Sequence, residues 1–109
     1  MQTVIKEYIR DTNNNPRGVC VAIKDGNQVH YGFSLHNPVD KYDKGHGIMV
    51  AIRRALSNGY KLPDVQDRYD AVVERFKSLE KRSLKYFKDV PEENVRIVIG
   101  DFLTDITNE

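Results

Sequence analysis

The sequence predicts an α+β domain, an antiparallel sheet packed by two helices in the order β-β-β-α-α-β. Three observations predict it. Runs of β-branched and aromatic residues separated by turn signals fill the first third of the chain. Two stretches with helical apolar periodicity follow. A last β-rich run, Asn94 to Phe102, comes after Pro91, a residue that stops helices. At 109 residues the chain is expected to be a single domain, 1–109, with one core.

The first strand is TVIKEYIR, Thr3 to Arg10. DTNNNPRG, Asp11 to Gly18, reads as a loop, because Asn and Asp tolerate left-handed backbone and Pro16 interrupts a ladder. VCVAIK and QVHYGFSL then flank Asp25-Gly26-Asn27, a hairpin signal. A three-residue turn sets Ile23 opposite Val29, Val21 opposite Tyr31 and Val19 opposite Phe33, giving one apolar face. A two-residue Asp25-Gly26 turn pairs Val21 with His30 and mixes the faces. Burial of one face pins register, so the three-residue turn is expected. Cys20, Ala22, His30 and Gly32 then form a second face. Its small residues suit either an ordinary covered surface or the close approach of a backbone, a subunit or a ligand.

HGIMVAIRRALSNG carries the first helix. Ile48, Ala51, Ile52, Ala55 and Leu56 fall on one stripe, and Asn58-Gly59 supplies the stop. Leu62-Pro63-Asp64 opens the second helix, with Asp64 as N-cap, and Val90 closes it. Along it Val65, Tyr69, Val72, Phe76 and Leu79 form a heptad seam, continued by Ser83 and Tyr86. Such a rod is about 39 Å long, so its C-terminal half is expected to project against a second subunit in a homodimer or higher homo-oligomer. Wrapping across the sheet of the same chain is the alternative.

Composition narrows the functional classes. Apolar residues at 39% and charged residues at 30% describe a folded chain rather than a disordered one. No apolar run is long enough to span a membrane, and MQTVIKEYIR lacks the apolar core of a signal peptide. The single cysteine, Cys20, excludes an internal disulfide and suits a reducing cytoplasm. Net charge of +1 excludes neither nucleic acid nor protein partners.

Chemistry concentrates in SLHNPVDKYDKGHG, Ser34 to Gly47. His36, Asp40, Asp43 and His46 match no metal-ligand pattern. There is no nucleophile elbow, no P-loop and no GxGxxG, so no catalytic residue, metal or cofactor is assigned and the chain is read as a non-enzyme. Anion binding has more physical support. Lys44 precedes a helix start whose Gly45 and Gly47 leave backbone N–H groups accessible, and Arg53 and Arg54 follow on the same helix. Tyr42 or Phe33 would stack on a base, and Asn37 of the same turn completes the ligand-binding set. Each piece also has a plainer reading, with Asp43 as a helix cap and the cations as solvated surface.

Gly18 to Leu56 resembles a pattern of small early proteins of bacteriophages: a strand beginning GV, then G-[WF]-S-L, an Asn, D-x-[FY]-[DN]-K, a Gly, and A-[IM]-x-R-A. The matching positions are Gly32, Phe33, Ser34, Leu35, Asn37, Asp40, Tyr42, Asp43, Lys44, Gly47, Ala51, Ile52, Arg54 and Ala55. Phe33 stands where Trp is common and His46 where a basic residue is usual. The resemblance implies a phage accessory protein of the infected bacterial cytoplasm that works by binding, in counter-defence or host takeover. In layout the chain is more loosely similar to the phage proteins that sequester cyclic ADP-ribose-type signals of Thoeris defence, with no ligand residue carried over. The expected ligand is a nucleotide signal or another phosphorylated small molecule. The alternatives are nucleic acid, bound by a lysine stripe at Lys77, Lys81, Lys85 and Lys88, and a host defence enzyme inhibited through protein–protein contact.

Overall fold

The structure, a computed structural model, describes residues 3–36, 43–57 and 66–96. Three strands, β1 (Thr3–Arg10), β2 (Pro16–Asp25) and β3 (Gln28–Leu35), form an antiparallel meander in the order β1-β2-β3. Two helices follow, α1 (Lys44–Leu56) and α2 (Gln66–Tyr86), and then a short 3-10 turn at Glu92–Asn94. The fold is the expected α+β arrangement with the expected strand and helix order.

Asp11 organises the β1–β2 loop. Its Oδ1 accepts from the backbone N–H groups of Asn13 and Asn15, and its Oδ2 accepts from Arg17 Nε at 2.9 Å. Asn14 occupies the left-handed region at φ 64°, as the Asn-rich composition leads one to expect.

The β2–β3 register differs from the expected one. Asp25 pairs with Gln28, Ile23 with His30, Val21 with Gly32 and Val19 with Ser34. The turn is therefore Gly26-Asn27, and Gly26 at φ +61° supplies the positive angle that the first central residue of a II′ turn demands. The preference for one apolar face failed because β2 is the central strand and is covered on both sides. Val19 through Ile23 are all fully buried, and a strand buried on both faces carries no alternation from which to read register.

The two helices take opposite faces of the sheet. Cys20, Ala22, Val29, Tyr31 and Phe33 meet Val72, Val73, Phe76 and Leu79 of α2. Val19, Val21 and Ile23 meet Ala51 and Ala55 of α1. Gly32 permits the second contact: a Cβ there would lie 2.6 Å from Ala55 N and closer still to Ala51 O, so no side chain fits between β3 and α1. The expected second face of small residues is therefore split by the shifted register: Cys20 and Ala22 lie under α2, whereas Gly32 lies under α1 and its strand partner is Val21. α1 runs over β2 and β3, whereas α2 crosses all three strands, lying mainly over β1 and β2.

α2 ends at Tyr86 rather than Val90, and Asp64 and Val65 lie outside the described residues. Its C-terminal half lies on the sheet of its own chain. Leu79 and Ser83 are fully buried and Phe87 nearly so, while Tyr86, the last seam position, is 60% exposed. The seam is thus occupied within the chain, the arrangement held as the alternative. Beyond Pro91, where the last strand was expected to begin at Asn94, the chain makes a 3-10 turn and buries Val95 instead. The Tyr31 hydroxyl donates to Val95 O at 2.6 Å and Asn94 Nδ2 to Asn27 O at 2.7 Å. Positions 97–102 of the expected strand lie outside the described residues.

Candidate ligand-binding surfaces

α1 starts as its sequence dictates. Asp43 is the N-cap, and its side chain accepts from His46 N at 3.0 Å. One of the donors that a bound phosphate would use is therefore already held by a carboxylate. Lys44 leans over the Tyr8 ring of β1, with Nζ 4.9 Å from its centre, and Arg10 approaches the same ring at 5.7 Å. The Tyr8 hydroxyl is shut off from solvent with no hydrogen-bond partner among the described residues.

Those of the expected ligand-binding residues that are described, Lys44, Arg53, Arg54 and Phe33, do not converge. Arg53 and Arg54 sit in the last turn of α1, about 14 Å along the axis from Lys44 at 1.5 Å per residue. There they complement the C-terminal end of the helix dipole rather than an anion at its N-terminus. Arg54 is further engaged: its Nη1 donates to Phe33 O on the outer edge of β3 at 3.1 Å, and its guanidinium lies 5.4 Å from the Phe33 ring centre. Phe33 itself is 4% exposed and packs edge-on to Phe76 with centroids 6.3 Å apart, so it belongs to the core and offers no face to a base. Arg53 is exposed. Asn37 and Tyr42 lie outside the described residues.

On the other side of the molecule, Lys77, Lys81 and Lys85 line the outward face of α2 over about 12 Å, and Lys88 follows in the turn beyond. All four are exposed, and none forms an ion pair among the described residues. The arginines nearer the sheet behave differently. Arg75 and Arg82 both reach Glu7 of β1, at 3.4 and 3.3 Å, and Ser78 Oγ donates to the same carboxylate at 2.6 Å. Arg82 also caps Lys6 O at 3.1 Å. With Arg54 on β3, an arginine therefore guards each edge of the sheet, satisfying carbonyls that would otherwise invite another strand.

No cluster of three or more His, Cys, Asp or Glu able to hold a metal occurs among the described residues, which include His36, Asp43 and His46 but not Asp40. Cys20 is fully buried beneath α2, and burial pushes its thiol up to about 12, so at neutral pH it is protonated and inert. Sequence reasoning passed over Lys6, Tyr8 and Arg10, which β1 places on the α1 side of the sheet beside Lys44. The alternation Val4, Lys6, Tyr8, Arg10 was the available signal.

The geometry defines a small protein in which one antiparallel sheet lies between two helices, with exposed cations and exposed acids both on its surface. The chain matches no family model, no curated protein and no solved structure with which it was compared.

Proposed function

We propose that this protein is a non-enzymatic accessory protein of the phage type, active in counter-defence or host takeover in the bacterial cytoplasm, and that it works by binding a phosphate-bearing ligand. The supporting observation is how its cations divide. Arg17, Lys24, Arg75, Arg82 and Arg96 are held in ion pairs with the chain's own carboxylates. Lys44, Arg53, Lys77, Lys81, Lys85 and Lys88 are exposed and form no such pair among the described residues. A nucleotide-like ligand would use the Lys44 end of α1, with Asn37 and Tyr42 nearby in sequence. Arg54 would hold the β3 edge rather than the ligand.

A second reading, nucleic acid on the lysine line of α2, is favoured by the regular spacing of Lys77, Lys81 and Lys85 on one exposed face. Mass spectrometry of small molecules released from protein purified out of phage-challenged cells tests the first reading, and recovery of a phosphorylated compound is expected. Lys44→Glu should abolish that recovery and the triple Lys77→Glu/Lys81→Glu/Lys85→Glu should not. The reverse pattern, with strand binding whose logarithm falls steeply against the logarithm of salt concentration, would transfer the function to α2.

A further inference from the structure

Among the described residues, α1 covers β2 and β3 and leaves β1 uncovered on that side, and the uncovered half is not polar. The small residues Gly47, Ala51 and Ala55 of α1 face the sheet. Arg54, on one flank, reaches the outer edge of β3. The other flank carries Lys44 over Tyr8 of β1, followed by Ile48 and Ile52, which pack against the same cluster as Tyr8. At 100° per residue the apolar sector continues past Ile52 to Leu56 and Met49. Those two are 45% and 52% exposed. Val4 of β1 pairs with Ile23 and so shares the α1 side of the sheet, where it is 37% exposed. Among the described residues, β1 thus forms a floor and α1 a wall, lined by Val4, Ile48, Ile52 and Leu56, with Met49 on the outer rim and Tyr8, under Lys44, closing one end. The space above β1 is where a second helix of this layer would lie.

The rim is basic. Lys6 lies between Val4 and Tyr8 on the same side of β1, Arg10 and Lys44 crowd Tyr8, and Arg53 stands beside Met49 on the outer surface of α1. The acids of this side among the described residues are Asp43, committed to capping α1, and Asp25 at the hairpin end of β2. We infer that this recess is a docking groove for an amphipathic helix of another protein, apolar on one face and rich in Asp and Glu on its flanks. Charge complementarity selects that occupant. A second copy paired about a two-fold axis would set Lys6, Arg10, Lys44 and Arg53 against the same cations. A nucleic-acid strand would meet aliphatic side chains, on which bases do not stack. Methionine and aliphatic residues suit a helix anchored at i, i+3, i+4 and i+7. The groove is independent of the lysine line of α2; it shares Lys44 with the proposed phosphate site, so its test reads peptide binding at methyls rather than phosphate binding.

The test is methyl NMR on the full chain, titrated with a synthetic amphipathic peptide of about 18 residues, which as a helix matches the roughly 26 Å of β1. One peptide carries Leu on one face and Glu elsewhere; its counterpart carries Lys in place of Glu. The acidic peptide is expected to shift the methyls of Val4, Ile48, Ile52 and Leu56. The basic one is expected to bind at least about tenfold more weakly, as is the acidic one to Leu56→Asp or Met49→Asp. Both substitutions fall on half-exposed positions, and unchanged melting temperatures check that the variants fold. Equal binding of the two peptides, or shifts confined to other methyls, would overturn the proposal. So would concentration-dependent shifts of the groove methyls without peptide, which would assign the groove to a second copy. Shifts of the Leu103 or Ile106 methyls on introducing Leu56→Asp would overturn it too, by giving the groove to the chain's own C-terminal residues.

Discussion

On one side of the sheet, Tyr31, Phe33 and Cys20 meet a helix that answers with Val72, Phe76 and Leu79; on the other, Val19, Val21 and Gly32 meet a helix of glycine and alanine. The α2 side is held by large side chains that interdigitate and bury much apolar area. The α1 side is held by proximity, with helix backbone set directly against strand backbone. Close approach leaves little side-chain area between the layers, and the larger residues of α1, Met49, Ile52 and Leu56, fall to the flank and outer surface. The thick layer secures the fold. The thin one leaves Met49, Leu56 and Val4 partly exposed.

The comparison can be broken most severely at Phe76, which is fully buried and touched by both Tyr31 and Phe33 at centroid distances of 6.0 and 6.3 Å. Phe76→Ala should cost about 3–5 kcal/mol in urea denaturation, and a loss below 1 kcal/mol would mean that the α2 layer is less tightly packed than described. Next comes Gly32→Ala, which forces a Cβ into the backbone of α1. Its expected cost is about 1–3 kcal/mol, with NMR shift changes concentrated in α1 and β3. Shifts centred on α2 instead would contradict the two-layer description.

Glu7→Gln weakens the charged network with Arg75, Arg82 and Ser78 that fastens α2 to β1. A loss of about 2 kcal/mol is expected, in the range of hydrogen bonds to charged groups, and it should leave α1 undisturbed. Tyr31→Phe removes the bond to Val95 O and should cost about 1 kcal/mol, read in the same denaturation series.

The smallest effect lies at the β1–β2 loop. The Asn15 N–H, together with Arg17 and the Asn13 N–H, holds the Asp11 carboxyl below its ordinary value of 3.8. A depressed carboxyl stabilises the fold above its unfolded value, and that stability is lost as pH falls through the lower folded one. Acid unfolding below about pH 4 should therefore be shallower in Asp11→Asn. An unchanged acid limb would remove Asp11 from the account.

How far the sequence could be read differs between the same two regions. The α1 stripe and its Asp43 cap are local properties, set by 3.6-residue periodicity and by one side chain reaching a nearby N–H, and they were legible. The helix closes on an extended Ser57, whereas the expected Asn58-Gly59 stop lies outside the described residues. So were the strands themselves, from their β-branched residues. Register was not, because Val19 to Ile23 is apolar without interruption and satisfies several pairings equally well. The candidate ligand residues were misjudged for a related reason. Closeness in sequence suggested one cradle, but a helix of thirteen residues sets Lys44 and Arg53 at opposite ends. The Glu7 network joins residues 68 to 75 positions apart and has no local signature.

The sequence by itself therefore determined the three strands and two helices, their order and the Asp43 cap, since each depends on interactions within a few residues. Tertiary structure alone decided that α1 and α2 take opposite faces and that Phe33 and Arg54 serve the core and the β3 edge. A pairing register and a helix's choice of face depend on distant surfaces fitting one another. Gly32 shows this most directly: in the sequence it is one small residue in a strand, and in the fold it is the place where a helix backbone rests.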